Sequence, residues 1–385
     1  MVRWSAVTDR VRPLLWPVVV VLLSIGAYAL LRHQRSELVD FEVPRTAAMR
    51  AANGEPLYRP EDGHYQYKYL PAFAFVMMPF AVPPNEAGEV IWFGLTVTMA
   101  WWFFRLSLRA LPDRRTSERT LVWLALLLNG KFLVKELAFG QFNLPLGLLL
   151  IGAVIAAQRR DATTGGALVG AGVFVKPYAL ILVPWLLLTQ GWRSIRAFAL
   201  VLVAGLLLPV LTYGWHGNIT LLHEWYRTVT ETTAPNLMTF ENISLASMWA
   251  KWIEPGATAS ALAAASAAAL FAVGGSLLLR RRRVREPNYL ECAYFFVLVP
   301  LLSPQGWDYV LLLALPAYLC IVDRWREMPP TWRAAAATAF VLTSFTIFDL
   351  LRRPLYTHLM QLAGASVGAV LLAATLLRLR WSGKA

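Results

Sequence analysis

Asp40 sits in the acidic run Asp40-Phe41-Glu42, shortly after a long apolar segment and just ahead of a group of rings and one cation: Tyr58, His64, Tyr65, Tyr67, Lys68 and Tyr69. A carboxylate near the lipid–water boundary has two readings. A helix that starts there favours negative charge at its N-terminus, so Asp40 is a candidate N-cap. It is also placed to be a general base, which requires hydrogen-bond reach to a substrate hydroxyl and modest desolvation. The rings divide in the same way, between interfacial anchors and a sugar-binding surface. Asp40 and Glu42 form a D-x-E that could bind a divalent cation. Residues two apart on a helix point to different sides, however, so a metal is the weaker option.

Other chemically capable residues lie far along the chain. Lys176, in GVFVKPYAL, falls between two short apolar runs. Its ammonium either snorkels to the interface or holds an anionic group such as a phosphate. In KFLVKELAFGQFN, Lys131 and Lys135 are four apart on one helical face, and Glu136 could neutralise one of them. Gln141 and Asn143 head the next apolar run, and ENIS (Glu241 to Ser244) and SPQGWDY (Ser303 to Tyr309) follow. NIT at Asn218 and NIS at Asn242 match glycosylation acceptor patterns, which are frequent by chance. The chain carries no P-loop, Rossmann glycine fingerprint, zinc-ligand spacing or serine nucleophile elbow. Cys292 and Cys320 lie in apolar runs and suggest neither a disulfide framework nor a metal site.

The elements that position these residues must be membrane helices. Hydrophobic residues make up 57% of the chain and charged residues 15%, and a run of roughly 20 apolar residues crosses a bilayer as a helix. Apolar spans fall at about 14–31, 89–108, 121–139, 143–158, 165–176, 178–190, 195–213, 258–280, 289–302, 307–322, 332–350 and 359–379, about twelve crossings. The first reads as a retained span and not a removed signal, since no small-residue cleavage site follows it. The net charge of +13 sits largely in arginine clusters between spans, such as RRRVR at 281–285. That is the positive-inside pattern of a cytoplasmic face and not a nucleic-acid surface.

The apolar but proline-broken segment 69–84 reads as re-entrant or interfacial; counted as a span it would put the arginine clusters outside. Two stretches stand out as outer loops within a single membrane-embedded domain: 32–88, which carries Asp40 and the re-entrant segment, and 214–257. The first is expected to hold an amphipathic helix with Phe41, Ala48 and Ala52 on its apolar face. On this topology Asp40, Lys176, Gln141, Asn143, ENIS and SPQGWDY all gather at the outer side.

The order of these motifs resembles glycosyltransferase family 87, membrane-embedded GT-C enzymes that include polyprenyl-phosphate-mannose-dependent α-1,2-mannosyltransferases. The resemblance rests on Asp40-Phe41-Glu42-Val43, Gly54-Glu55-Pro56-Leu57-Tyr58, Tyr69-Leu70-Pro71, Gly140-Gln141-Phe142-Asn143, Lys176-Pro177, Asn242-Ile243-Ser244-Leu245 and Ser303-Pro304-Gln305-Gly306-Trp307. Pro44 stands where the family usually has tyrosine, Leu70 replaces the first proline of a Y-P-P, and Asp308-Tyr309 replaces a common histidine.

The resemblance implies an all-α polytopic membrane protein, a GT-C-like bundle of about twelve transmembrane helices. It implies sugar transfer, mannose first and arabinofuranose as the alternative, from a polyprenyl-phosphate donor to a glycolipid or glycan acceptor. The site would face outward from a bacterial plasma membrane. Asp40 would be the base, with Lys176, Lys135, Gln141 and Asn143 toward the donor phosphate. Tyr67, Tyr69, His64, Asn242, Ser244, Trp307, Asp308 and Tyr309 would bind substrate, with no metal or other cofactor. A lipid or sugar transporter is the competing class. It would place ionisable residues near the bilayer midplane, whereas these fall near span ends. Oligomeric state leaves no signal in the sequence.

Overall fold

The computed structural model describes residues 38–382, so the span expected at 14–31 lies outside the described residues. The described chain is all helical, with no strand among its residues beyond one isolated bridge between Asn242 and Trp307.

Helix α1 (Val39–Ala52) opens the described chain. Two short helices follow, α2 (Pro71–Val76) and α3 (Met78–Ala81), in the segment expected to be re-entrant. Neither approaches the length of a crossing. Then come α4 (Asn85–Ala110), α5 (Glu118–Phe139), α6 (Asn143–Gln158) and α7 (Ala162–Val175). A 3₁₀ turn over Pro177–Leu182 leads into α8 (Val183–Gln190). Next are α9 (Trp192–Leu207), α10 (Val210–Thr233), α11 (Leu245–Ile253), α12 (Ala257–Leu279) and α13 (Asn288–Leu302). Another 3₁₀ stretch, Asp308–Ala314, precedes α14 (Leu315–Asp323), and α15 (Pro330–Ser344), α16 (Phe348–Gln361) and α17 (Gly364–Trp381) complete the chain.

Among the described residues, helices α4, α12 and α17 are long and apolar enough to cross a membrane; the number there is five if the bent pairs α9–α10 (93°) and α15–α16 (101°) each count as one span. The other apolar helices are shorter, 14 to 16 residues in α6, α7 and α13. The expected tally of twelve is therefore not reached by length and composition. The main physical reason is breakage. Pro177 disfavours helical dihedrals in the residue before it, and Lys176 is accordingly extended at φ −152°, ψ 132°. Trp307 is likewise extended before its 3₁₀ stretch. Non-helical backbone at membrane depth is tolerated where it is buried in protein or lines a cavity, and both breaks lie at the cavity described below.

Helix α13 is buried on every side from Asn288 through Leu301 and forms the centre of the core, as expected of a helix apolar all round. Its one carboxylate, Glu291, is met by Arg380 of α17 at 3.4 Å, by Arg281 and by the Trp185 indole at 3.0 Å. Helix α7 lies against α9 so closely that a Cβ on Gly166 would overlap the Ser194 carbonyl oxygen. Small residues allow such backbone approach between membrane helices.

The expected amphipathic helix is present, but its apolar face rests on protein. Phe41, Pro44, Ala47, Ala48 and Ala51 are buried, whereas Ala52 is exposed, which corrects the expected stripe by one position. Phe41 stacks on Trp92 at 5.3 Å and meets Phe80 edge-on at 5.9 Å. Arg45 fastens the same face by donating to the carbonyls of Phe80 and Pro83, both at 2.9 Å.

The stretches read as separate outer loops pack on one another. Most of 214–257 is helical, in α10 and α11. Helix α10 reaches back to the first loop through Tyr213, whose hydroxyl donates to the Glu55 carbonyl at 2.7 Å. Further along, the Trp225 indole donates to the Lys68 carbonyl at 3.1 Å.

Candidate active site

A cavity of about 990 Å³ opens between these segments. Its wall includes Asp40 from α1, His64, Lys68 and Tyr69 from the first loop, Lys135 from α5 and Gln141 from the α5–α6 turn. Lys176 and Tyr178 join it from the α7 break, Trp225 and Glu241 from the α10–α11 region, and Trp307 and Tyr309 from the break before α14. Apolar side chains, among them Phe139, Leu180, Ile181, Phe271, Val299 and Leu302, line the rest.

Asp40 lies in the first turn of α1 without capping it. The N-cap is Leu38, with no side-chain cap bond, and the Asp40 carboxylate turns into the cavity instead. There its Oδ2 accepts from Gln141 Nε2. The same Gln141 amide group donates to the Tyr309 hydroxyl at 3.1 Å, and its Oε1 accepts from Lys176 Nζ at 3.2 Å. Lys176 also donates to Asn143 Oδ1 at 2.8 Å, and its ammonium stands 5.9 Å from the ring centroids of both Tyr178 and Tyr309, within cation–π range. Burial raises the Asp40 carboxyl above the ordinary carboxylate value. Lys176, the Gln141 hydrogen bond, Lys68 and His64 partly offset that rise. The result is a carboxylate more basic than a free one yet held beside cations, a suitable state for a general base.

Gly140 makes this approach possible. It closes α5 in the left-handed conformation at φ 69°, and a Cβ there would stand 2.8 Å from Phe41 Cβ. Only glycine takes both the dihedral and the contact without strain.

Lys131 and Lys135 find their counter-charge elsewhere than the sequence suggested. Both reach Asp308, at 2.7 and 2.8 Å, and Asp308 is fully buried. Glu136 faces the other way and accepts from Asn143 Nδ2 and the Leu144 amide, each at 2.7 Å.

Of the residues singled out by the sequence, Asp40, Lys176, Lys135, Gln141, His64, Tyr69, Trp307 and Tyr309 share the cavity wall. Asn143 stands behind it as the support of Lys176, and Asp308 behind Lys135. Tyr67, Asn242 and Ser244 do not line it. Tyr67 is buried with its hydroxyl on the Leu70 carbonyl. Asn242 clamps the carbonyls of Asn236 and Pro304, and the Ser244 hydroxyl caps α11 by accepting from the Ser247 amide at 3.1 Å. Asn218 and Asn242, the two glycosylation-pattern asparagines, are 4% and 1% exposed and are spent on internal hydrogen bonds.

Tyr178, Trp225 and Gln305 also belong to the wall. Tyr178 was signalled only by its place after Lys176-Pro177, and Trp225 by nothing local. Among the described residues no three or more His, Cys, Asp or Glu side chains gather into a metal-ligand group.

An α-(1→3)-arabinofuranosyltransferase of Corynebacterium glutamicum is 24% identical over 227 residues, an alignment covering 54% of this chain and 48% of that protein. The chain thus matches about half the length of this curated relative. The profile of glycosyltransferase family 87 matches residues 67–304, which take in Lys68, Lys135, Gln141, Asn143 and Lys176; Asp40 lies upstream of the matched region and Asp308 just after it. Three of the described helices are long and apolar enough to cross a membrane, or five spans if each bent pair counts as one, and the match covers more than half of the sequence: this membrane protein belongs to glycosyltransferase family 87.

Proposed function

We propose that the protein is an inverting glycosyltransferase that moves a sugar from a polyprenyl-phosphate donor to a hydroxyl of a glycolipid or glycan acceptor. The observation that carries the reading is the juxtaposition of Asp40 and Lys176 in one cavity, bridged by Gln141. In the proposed step Asp40 takes the proton of the acceptor O–H while that oxygen bonds to the anomeric carbon. The bond from that carbon to the phosphate oxygen breaks, and its electron pair leaves with the polyprenyl phosphate. Attack comes from the face opposite the phosphate, which inverts the configuration.

A phosphate leaves with little need of protonation, so one carboxylate suffices where glycosidases use two. Lys176, aided by Lys135, stabilises the charge building on the leaving group, the kind of preorganised electrostatic help that supplies much of enzymatic rate enhancement. The apolar wall from Phe139, Leu180 and Ile181 to Val299 and Leu302 offers the isoprenoid chain a solvent like its own. No metal is required, since the wall lysines supply the positive charge.

The wider reading is one membrane-embedded domain with a GT-C-like arrangement of about twelve crossings, short and broken helices included. Its cavity would face outward across a bacterial plasma membrane. Mannose is the first choice of sugar. Arabinofuranose is the second reading, favoured by the Corynebacterium relative.

The test is Asp40→Asn in proteoliposomes, supplied with native membrane lipids and synthetic short-chain polyprenyl-phospho-mannose or its arabinofuranose counterpart. Transfer is expected to fall about 10³-fold with the protein still folded. Undiminished transfer by that variant removes the base.

A further inference from the structure

Glu136 lies behind the cavity, 0% exposed on α5, and is not among the residues that line its wall. Both partners of its carboxylate are donors: Asn143 Nδ2 and the Leu144 amide, each at 2.7 Å. An ionised carboxylate only accepts and an ammonium only donates, and these two facts orient every amide between them. Asn143 must give its NH₂ to Glu136, which leaves its Oδ1 for Lys176 at 2.8 Å. Lys176 must find oxygen on Gln141, at 3.2 Å, which leaves the Gln141 NH₂ for Asp40 and Tyr309. The relay runs unbroken from a buried carboxylate to the one in the cavity.

We propose that Glu136 is a positioning residue for sugar transfer, the fixed counter-charge that holds the Lys176 ammonium at the donor phosphate through Asn143. This rests on the reading of Asp40 as base and Lys176 as phosphate ligand. Lys176 lies between two carboxylates, Glu136 by way of Asn143 and Asp40 by way of Gln141. As Asp40 takes up the acceptor proton, one of those charges is neutralised while Glu136 keeps the ammonium in place. The cation is then less offset just as charge builds on the leaving phosphate. Acceptor deprotonation and bond cleavage are thereby coupled. Glu136 itself cannot exchange roles with Asp40, because it has no access to the cavity.

The competing account is a brace that only ties α5 to α6 across the turn at Gly140. Glu136→Gln separates the two. A carboxamide there must turn its own NH₂ toward Asn143 if it still accepts from Leu144. Asn143 then flips and presents NH₂ to the Lys176 ammonium. Positioning predicts kcat reduced about 10- to 100-fold, the scale seen when an outer-shell partner is lost, with donor KM changed less than kcat.

Positioning also predicts that the acidic limb of the kcat–pH profile moves to lower pH. Asp40 faces Lys176, Lys68 and His64, with Tyr69 and Tyr309 beside it, and it becomes the carboxylate nearest Lys176. The decisive variant is the double Glu136→Gln/Asn143→Asp. It keeps the charge and satisfies every bond, because the carboxylate introduced at position 143 accepts both from Lys176 and from the carboxamide introduced at position 136. It is expected to regain at least tenfold over the single variant.

A brace predicts lowered thermal stability in the single variant, regained in the double that restores every bond, with kcat per folded molecule unchanged and the pH limb unmoved in both. Wild-type kcat in Glu136→Gln, or a folded double variant no faster than the single, overturns the proposal. If the single variant does not fold, the double measured against wild type decides alone. Asp40→Asn assayed alongside keeps the outcomes apart, since activity retained there refutes the underlying base and not Glu136.

Discussion

Asp308 and Lys135 meet at 2.8 Å although 173 positions separate them in the chain, and the same carboxylate holds Lys131 at 2.7 Å. Asp308 is fully enclosed, while Lys135 keeps about a quarter of its side chain open to the cavity. Removing one partner of a buried pair leaves an uncompensated charge and costs about 3–5 kcal/mol. Asp308→Asn should therefore lower the denaturation midpoint in detergent substantially. Lys131→Met added to it should recover most of the loss, since Lys135 alone can turn to the water of the cavity.

Gly140→Ala should act on catalysis from outside the cavity. Its methyl group would overlap Phe41 Cβ, and the residue would have to hold a left-handed φ, which costs an L side chain about 1–2 kcal/mol. Phe41 adjoins Asp40, so relief of the overlap displaces the base. Transfer is expected to fall further than the modest drop in thermal stability alone would explain, and activity per folded molecule measures the difference.

The pH dependence follows from Asp40. Only the ionised form accepts a proton, so transfer should fall as pH drops through a midpoint above that of a free aspartate, because burial raises it. Lys68 opposes that rise, so Lys68→Met should move the acidic limb to higher pH. Stability has its own direction. The native state binds the Asp40 proton more tightly than the unfolded chain, so the stability owed to this group is complete below the unfolded carboxyl value. It is lost as pH rises through the native value. Asp40→Asn should thus be inactive yet unfold at neutral pH no more readily than wild type, as melting curves at two pH values will report.

Chelation is expected to leave the rate unchanged. Glu42, the other half of the D-x-E, is directed to Arg45 at 3.3 Å, while Asp40 is held by Gln141. Transfer assayed in EDTA should equal that in buffer alone; a loss reversed by added magnesium or manganese would show a metal at work.

Much of this protein is determined by the sequence alone, because the signals act over a few residues. Apolar runs specify helices, Pro177 forces Lys176 out of the α7 helix, Gly140 ends α5, and the order of short motifs indicates the family. The tertiary structure decided which group answers which. Sequence proximity offered Glu136 as the counter-ion of a neighbouring lysine, yet a helix directs adjacent side chains to different sides. Asp308 takes both lysines, and Glu136 turns to Asn143. Asn242 and Ser244 match a motif, but their polar atoms are used up in a clamp and a helix cap. Two segments read as separate loops meet at one cavity, where the Trp225 indole of one reaches the Lys68 carbonyl of the other. Partner choice among buried charges depends on which distant segments the fold brings within about 3 Å of each other, the reach of a hydrogen bond, and no local pattern encodes that distance.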